Sequence, residues 1–291
     1  MKPAAFEYVR PESIDEVVSL LAEHGGEAKI IAGGQSLMTL LNFRMLRPAL
    51  LIDINRIPDL GSVVEEAGRL RVGARTRHHT LEMSPIVAGH FPVLSEAMSH
   101  VAHLAIRNRG TIGGSLSHAD PAAELPMMAM LLDAEIEVRA KRENRTIAAA
   151  DFFVAPLTSA LEEDEFVTDI VFPKLPARTG WAFEEFAQRS GDFAIAAVAA
   201  LVSLRDGKIE DVRIAAMGVD ETPLRFRDVE AELAGQTPTV DLMRSSAASM
   251  RTIVQPNTDL KASADYRRHL VEAIAERVLV KAWRCAEEVS A

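Results

Sequence analysis

I-R-N-R-G-T-I-G-G-S-L-S-H-A-D-P-A-A-E-L-P, residues Ile106 to Pro126, is the stretch whose reading decides the fold. It sets Arg107 and Arg109 beside a glycine pair, Gly113-Gly114, follows them with the hydroxyls of Ser115 and Ser117, and ends in the carboxylates Asp120 and Glu124. Adjacent glycines let backbone N–H groups approach a ligand with no Cβ in the way, and successive exposed N–H groups make an anion-binding concavity. A phosphate followed by a ribose suits this order, amides and hydroxyls for the first and a carboxylate for the second. An earlier stretch, I-I-A-G-G-Q-S-L from Ile30 to Leu37, has the same build: a β-branched apolar run, then Gly33-Gly34, then polar residues. The two read as halves of one dinucleotide site, each glycine pair making a tight turn.

Several other chemistries are excluded by the same residues. Neither glycine pair completes G-x-G-x-x-G between a strand and a helix, and no Walker A lysine follows either. The G-x-S-x-G nucleophile elbow fails because Met38 and Ser117 stand where its last glycine belongs. His100 and His103, with His118, Asp120 and Glu124 further on, are a set a zinc ion could use, but no tight ligand spacing joins them, and surface or capping histidines is the plainer reading. Met127, Met128 and Met130 read as core filling.

Working outward, Ser13-Ile-Asp-Glu16 has capping-box spacing ahead of a helix whose apolar face is Ile14, Val17, Val18 and Leu21, with Gly25-Gly26 as its stop. Strands are expected at Ala28 to Ala32 and Leu50 to Ile54, around a short helix from Leu37 to Phe43, so residues 1–57 form one α/β unit. A second unit, 58–176, carries strands at Arg69 to Gly73, Glu135 to Val138 and Phe166 to Phe172. It also carries helices at Val93 to Ile106 and Met127 to Leu132, and Pro173 and Pro176 mark its end. From Trp181 the pattern changes. Trp181 to Phe186, Ala194 to Leu204 and Val212 to Met217 read as a three-stranded antiparallel sheet, with a hairpin signal at Asp206-Gly207. Helices at Arg227 to Ala234, Asp241 to Ile253 and Ser263 to Val289 follow, the last with Leu270, Ile274, Val278 and Ala282 on one face. Residues 177–291 are thus a separate α+β domain.

Composition limits the partners. A net charge of −10 over 291 residues argues against nucleic acid. No apolar run reaches the ~20 residues of a membrane span, and the N-terminus has no secretory signal. The single cysteine, Cys285, excludes an internal disulfide and fits a cytoplasmic setting. Because an iron–sulfur cluster takes about four thiolates, this chain holds none by itself.

A-G-G-Q-S (Ala32 to Ser36) together with T-I-G-G-S (Thr111 to Ser115) resembles the FAD-binding medium subunit of molybdenum hydroxylases, the carbon monoxide dehydrogenase and xanthine dehydrogenase family. S-H-A-D-P-A-A-E-L-P (Ser117 to Pro126), S-A-L-E-E-D-E (Ser159 to Glu165), R-S-G-D-F-A (Arg189 to Ala194) and Y-R-R-H-L (Tyr266 to Leu270) extend the resemblance over the whole chain. It implies a two-subdomain FAD-binding fold of the vanillyl-alcohol-oxidase type followed by the C-terminal α+β domain. It also implies non-covalent FAD, its pyrophosphate wrapped by Ile30, Ile31, Ala32, Gly33, Gly34, Gln35, Ser36 and Leu37 and by Thr111, Gly113, Gly114 and Ser115. Glu124, near Asp120, matches a carboxylate that holds the adenosine ribose, where many members have Asp. Leu161 matches a leucine against the flavin ring, Phe193 an aromatic position beside it, and Val101 a ring-covering position that is aromatic in some xanthine dehydrogenases.

The partners follow from the same resemblance: a large subunit with the molybdenum cofactor, and a small one with two iron–sulfur clusters, arranged as a heterotrimer or a dimer of heterotrimers. This chain then passes electrons onward through its flavin and has no catalytic residue for the organic substrate. The competing reading is a self-sufficient flavin oxidase of the same wide fold class, with substrate held by the C-terminal domain.

Overall fold

Among the described residues there are three larger sheets, each containing the strands that patterning assigns to it together with others that it did not, and a two-stranded pair, Phe153–Ala155 with Thr158–Ser159. The computed structural model describes residues 1–290. The first sheet is parallel: strand Leu50–Asp53 lies between Glu7–Val9 and Ala28–Ile31. All four central residues are buried, as both-face coverage demands. Helix Ile14–His24 covers it with Val17, Val18 and Leu21. Its N-terminus is fixed by the Ser13 hydroxyl, which accepts from Glu16 N, and its end by Gly25 at φ +51°. Only glycine enters that left-handed region without strain.

The second sheet is antiparallel, ordered Val63–Glu66, Arg69–Gly73, Phe166–Phe172, Glu135–Arg139, Asn144–Ala148. One face is polar, where the Arg71 guanidinium grips Glu137 through bonds of 2.7 and 2.8 Å. The other carries Val72, Ile136, Val138 and Ile170 into a core shared with helices Pro92–His100, Ile112–His118 and Glu124–Leu131. Burying each such side chain stabilises the fold by roughly 1.5–3 kcal/mol.

The C-terminal sheet runs Thr179–Phe186, Ala196–Arg205, Lys208–Met217, Leu224–Arg225, all antiparallel. It has four strands, one more than the pattern predicts; the fourth is two residues long, too short for any alternation to register. Both faces are covered. Phe183, Ala197, Ala199, Leu201, Ala215 and Met217 join the core of the second sheet, while Ala182, Ala196, Val198, Ala200, Val202 and Ile214 meet the long helix Ala264–Ser290. That double coverage explains the unbroken apolar run from Ala194 to Val202, which a half-solvated strand would interrupt with polar residues. The joint is tied by polar contacts too. Gly218 N donates to Pro121 O at 2.8 Å, and Arg225 donates to Met130 O at 2.8 Å and to Asp133 at 2.9 Å.

The chain departs from the expected elements at two places that matter for function. The helix expected from Val93 to Ile106 is two: Pro92–His100, then Leu104–Arg107, with Ala102 at φ +43° between them. Arg107 holds the break open, donating to the carbonyls of Val101 and Ala102 at 3.0 Å each while pairing with Glu82 at 2.9 Å. Gly113-Gly114 is not a turn. It lies in the first turn of helix Ile112–His118, which Thr111 caps by accepting from Gly114 N at 3.2 Å. Two glycines in a helix cost about 1 kcal/mol each; the reason for Gly113 is contact, since a Cβ there would fall 3.0 Å from Ala74 Cα.

Candidate FAD site

The two glycine segments meet. A Cβ built on Gly33 would lie 2.9 Å from Gly110 Cα and closer still to the Arg109 carbonyl oxygen, so the first loop rests directly on the backbone that enters the second. A relay of side chains fastens them. Asn55 Nδ2 donates to Ala32 O at 2.8 Å, Asn55 Oδ1 accepts from Arg77 at 2.6 Å, and Arg77 donates onward to Arg109 O. Asp53 orients Asn55, accepting from its N at 2.8 Å and its Nδ2 at 2.6 Å, and also accepts from the Tyr8 hydroxyl. Burial raises the Asp53 carboxyl, but the bonds from Tyr8 and Asn55 outweigh it and hold the group below its ordinary range.

The two segments make unlike contributions. At Ile112 and Gly113 the backbone N–H groups already donate, to Thr76 O at 3.0 Å and Ala74 O at 2.8 Å. With Gly114 N bonded to the buried Thr111 Oγ1, what the second segment offers outward is mainly the hydroxyl of the half-buried Ser115. In the first loop, the N–H groups of Gly33, Gly34, Gln35 and Ser36 have no acceptor among the described residues. Gly34 sits at φ +71°, and the turn it makes opens helix Leu37–Asn42. Successive free N–H groups in such a loop form an anion nest.

The charge around the nest agrees. Burial lowers the affinity of Arg77 for its proton, and the neighbouring guanidiniums of Arg75 and Arg109 lower it further. Three cations crowded at one place favour a bound anion. Beneath them, burial pushes the His78 imidazole down to about 4, so it stays neutral and adds no charge of its own. His78 begins helix His78–Met83.

A second group of expected residues collects along the joint with the C-terminal domain. The break at Val101 to His103 is covered by the loop Arg189 to Phe193: Gly191, at φ +84°, has its Cα hydrogen face against Ala102 and the His103 ring. Val101 is buried, while Phe193 is 54 % exposed with Lys261 Nζ 5.5 Å from its ring centre. Leu161, half-buried, follows the short strand Thr158–Ser159, which packs beside helix Ile112–His118. Glu124 heads helix Glu124–Leu131 with its carboxyl buried, and burial pushes it up to about 8, helped by Glu185 and Asp120. Asp120 accepts from Ala122 N at 2.9 Å and so shapes its own loop. Ile30 and Ile31 lie in strand Ala28–Ile31, which delivers the nest. No group of three or more His, Cys, Asp or Glu able to hold a metal occurs among the described residues.

Asn55 and Arg77 are absent from the sequence-based set. Nothing in the spacing marks them; they connect parts of the chain that only folding brings together.

The family described as "FAD binding domain in molybdopterin dehydrogenase" matches residues 4–175, and "CO dehydrogenase flavoprotein C-terminal domain" matches 181–282. The chain belongs to the FAD-binding medium subunits of molybdenum hydroxylases. It is 41 % identical over 283 residues to a subunit of the 6-hydroxypseudooxynicotine dehydrogenase complex of Paenarthrobacter nicotinovorans, covering 97 % of this chain and 96 % of that one. To the caffeine dehydrogenase subunit beta of Pseudomonas sp. strain CBB1 it is 42 % identical, with 97 % and 96 % covered. Among solved structures it superposes on carbon monoxide dehydrogenase from Hydrogenophaga pseudoflava with a TM-score of 0.95 and 37 % identity, over 98 % of this chain and 99 % of that one. This medium subunit is therefore a FAD-dependent oxidoreductase subunit of a multi-subunit enzyme. The self-sufficient oxidase reading is set aside. No helix among the described residues is long and apolar enough to cross a membrane.

Proposed function

We propose that the nest Gly33 to Ser36, closed by Thr111, Gly113, Gly114 and Ser115, holds the FAD diphosphate, with the strand end Ile30 to Ala32 and helix start Leu37 shaping its walls. The observation that carries this is the set of free N–H groups on the first loop, set against cationic Arg75, Arg77 and Arg109 and pinned to the second segment through Asn55. Val101, Leu161 and Phe193 face the flavin ring, and Glu124, with Asp120 behind it, takes a cofactor hydroxyl. Bound here without a covalent link, FAD supplies reversible electron acceptance; the chain's own residues bind it, orient it and exclude water.

In the assembly, a small subunit carrying two iron–sulfur clusters delivers electrons and a large molybdenum subunit oxidises the substrate. The three form a heterotrimer, or a dimer of heterotrimers, in the cytoplasm, where the lone Cys285 needs no partner. Residues 1–57 and 58–176 are the two halves of the flavin domain and 177–291 the third domain. Names such as caffeine dehydrogenase and 6-hydroxypseudooxynicotine dehydrogenase among relatives point to nitrogen-containing organic compounds as the complex's substrates.

The test is reconstitution. Full-length chain stripped of flavin takes up one FAD, acid releases it intact, and the purified chain oxidises no organic substrate unaided. Flavin that stays on the polypeptide after acid, or turnover by the chain alone, contradicts this reading.

A further inference from the structure

The stretch from Val101 to Thr111 carries both the break after helix Pro92–His100 and the entry to the second glycine segment, so one short run of chain serves two parts of the site. At the break, Ala102 stands at φ +43°. A left-handed alanine is costly, persists only where its surroundings over-determine it, and belongs to a class of outliers that gathers at ligand clamps. Here the surroundings are explicit. Arg107 Nη1 donates to Val101 O and Ala102 O at 3.0 Å each, while its Nε and Nη2 donate to Glu82 at 2.9 and 3.3 Å. Four of the five guanidinium N–H groups are thus placed, a fork that lysine cannot copy. Glu82 also faces His79 Nδ1 at 3.2 Å. The Arg107 and Glu82 side chains are 14 % and 17 % exposed, so the pair is largely enclosed.

Helix His78–Met83 connects this pair to the diphosphate segment. At its start His78 N donates to Gly110 O at 3.1 Å, and near its end Glu82 holds Arg107. Gly110 N in turn donates to Ile106 O at 2.7 Å, so one helix grips the stretch at both ends. On the far side of the break lies the loop Arg189 to Phe193 of the C-terminal domain. A Cβ built on Gly191 would fall 3.2 Å from Ala102 C and 3.0 Å from the His103 ring, which is direct contact. The diphosphate segment has anchors of its own: Ile112 N to Thr76 O, Gly113 N to Ala74 O, and Arg77 to Arg109 O. Loss of Arg107 therefore frees the break and the loop resting on it, and leaves those anchors in place.

We propose that Arg107, held by Glu82, is a positioning residue for the flavin: it sets the Val101–Ala102 break, and the C-terminal loop against it, at a fixed place relative to the diphosphate segment. This rests on the FAD reading given above, in which Val101 and Phe193 face the flavin ring. Diphosphate and ring belong to one molecule, so both are gripped at once only if the two walls keep their spacing. Arg107 acts through the two carbonyls, and Glu82 acts through Arg107 by fixing the direction of its fork. A purely structural Arg107, one that only satisfies carbonyls at a helix end, would lower stability without singling out the flavin ring.

The experiment uses the flavin-free full-length chain as wild type, Arg107→Gln, Arg107→Lys, Glu82→Gln and the double variant Arg107→Gln/Glu82→Gln. FAD binding is followed by flavin fluorescence, ADP by competition with FAD, and ring exposure by acrylamide quenching of the bound flavin. Arg107→Gln should lose about tenfold or more in FAD affinity while ADP stays within about twofold of wild type, and its bound flavin should be quenched more readily. Arg107→Lys keeps the charge but not the fork, so it should lose most of the same affinity. Glu82→Gln should lose less, and the double variant no more than Arg107→Gln alone, because the two residues act in series. Thermal melts of the flavin-free variants check folding. If the Arg107 variants do not fold, Glu82→Gln, which keeps the shape of the pair, decides by the same split between FAD and ADP. Equal losses for FAD and ADP, FAD affinity and quenching unchanged from wild type, or additive losses in the double variant overturn the proposal while leaving FAD binding intact. A wild type that binds no FAD overturns the underlying site instead.

Discussion

Replacing Gly33 with alanine tests whether the two glycine segments must touch. The new Cβ would sit 2.9 Å from both Gly110 Cα and Arg109 C, and nearer again to the Arg109 carbonyl oxygen. Ordinary contact between carbons is about 3.5–4.0 Å, so something must yield by about 0.6 Å or more. Neither side yields easily, since all the opposing atoms are backbone. Arg109 O is held by Arg77, and Ala32 O beside Gly33 is held by Asn55 at 2.8 Å. Overpacking of this kind costs about 1–3 kcal/mol. In thermal unfolding that is a fall of several degrees, and in FAD titration a loss of about tenfold for each 1.4 kcal/mol that falls on the bound geometry. Gly89→Ala is the control: beyond its own helix backbone and chain neighbours nothing lies within 4 Å of its Cβ position in helix Pro85–His90, so it should be neutral or slightly stabilising. Wild-type FAD affinity in Gly33→Ala, with or without a change in melting temperature, would refute the reasoning, because the site would then not depend on that contact.

Other outcomes follow from the same geometry. Asn55→Leu removes the link from Ala32 O to Arg77 and leaves buried polar groups unpaired, so it should lower stability by about 1–3 kcal/mol in urea unfolding and weaken FAD about tenfold or more. Gly180→Ala drives a Cβ to within 2.7 Å of Ala286 Cα on the long C-terminal helix, so it should lower the melting temperature while FAD affinity of the folded chain stays within about twofold. The flavin-free chain should lose stability as pH rises. Glu124 and Glu185, ordinarily near 4.5, hold their protons to about 8 and about 7 when folded. Between those limits the folded state binds more protons than the unfolded one, so stability falls by up to about 1.4 kcal/mol per pH unit for each proton. Glu124→Gln should flatten that slope in denaturation curves taken from pH 5 to 8.5.

Local pattern located most of the elements, because periodicity and caps are written where they act. The strands Arg69–Gly73 and Phe166–Phe172 have the bounds expected of them from alternation and apolar content. What sequence could not carry was competition between distant groups. Gly113-Gly114 looks like a turn until Thr111 caps it and Ala74 O takes the Gly113 N–H, which makes it a helix start. Val93 to Ile106 has helical spacing throughout, and it breaks at Val101 because Arg107, paired with Glu82, draws off the carbonyls there. The edge strands Glu7–Val9 and Leu224–Arg225 form because neighbours supply a ladder, too short to leave a signature of their own. The glycine segments were readable as a pair of ligand loops. Their unequal roles, donor nest against hydroxyl-bearing helix start, depend on which N–H groups folding consumes, and so do the parts played by Asn55 and Arg77.

The most direct measurement of the central claim is an experimental structure of the full-length chain, alone or in its complex, with FAD bound. The account predicts the diphosphate oxygens within hydrogen-bond distance of the N–H groups of Gly33 to Ser36 and facing the hydroxyl of Ser115. A diphosphate seated elsewhere, with those four N–H groups on water, would contradict it.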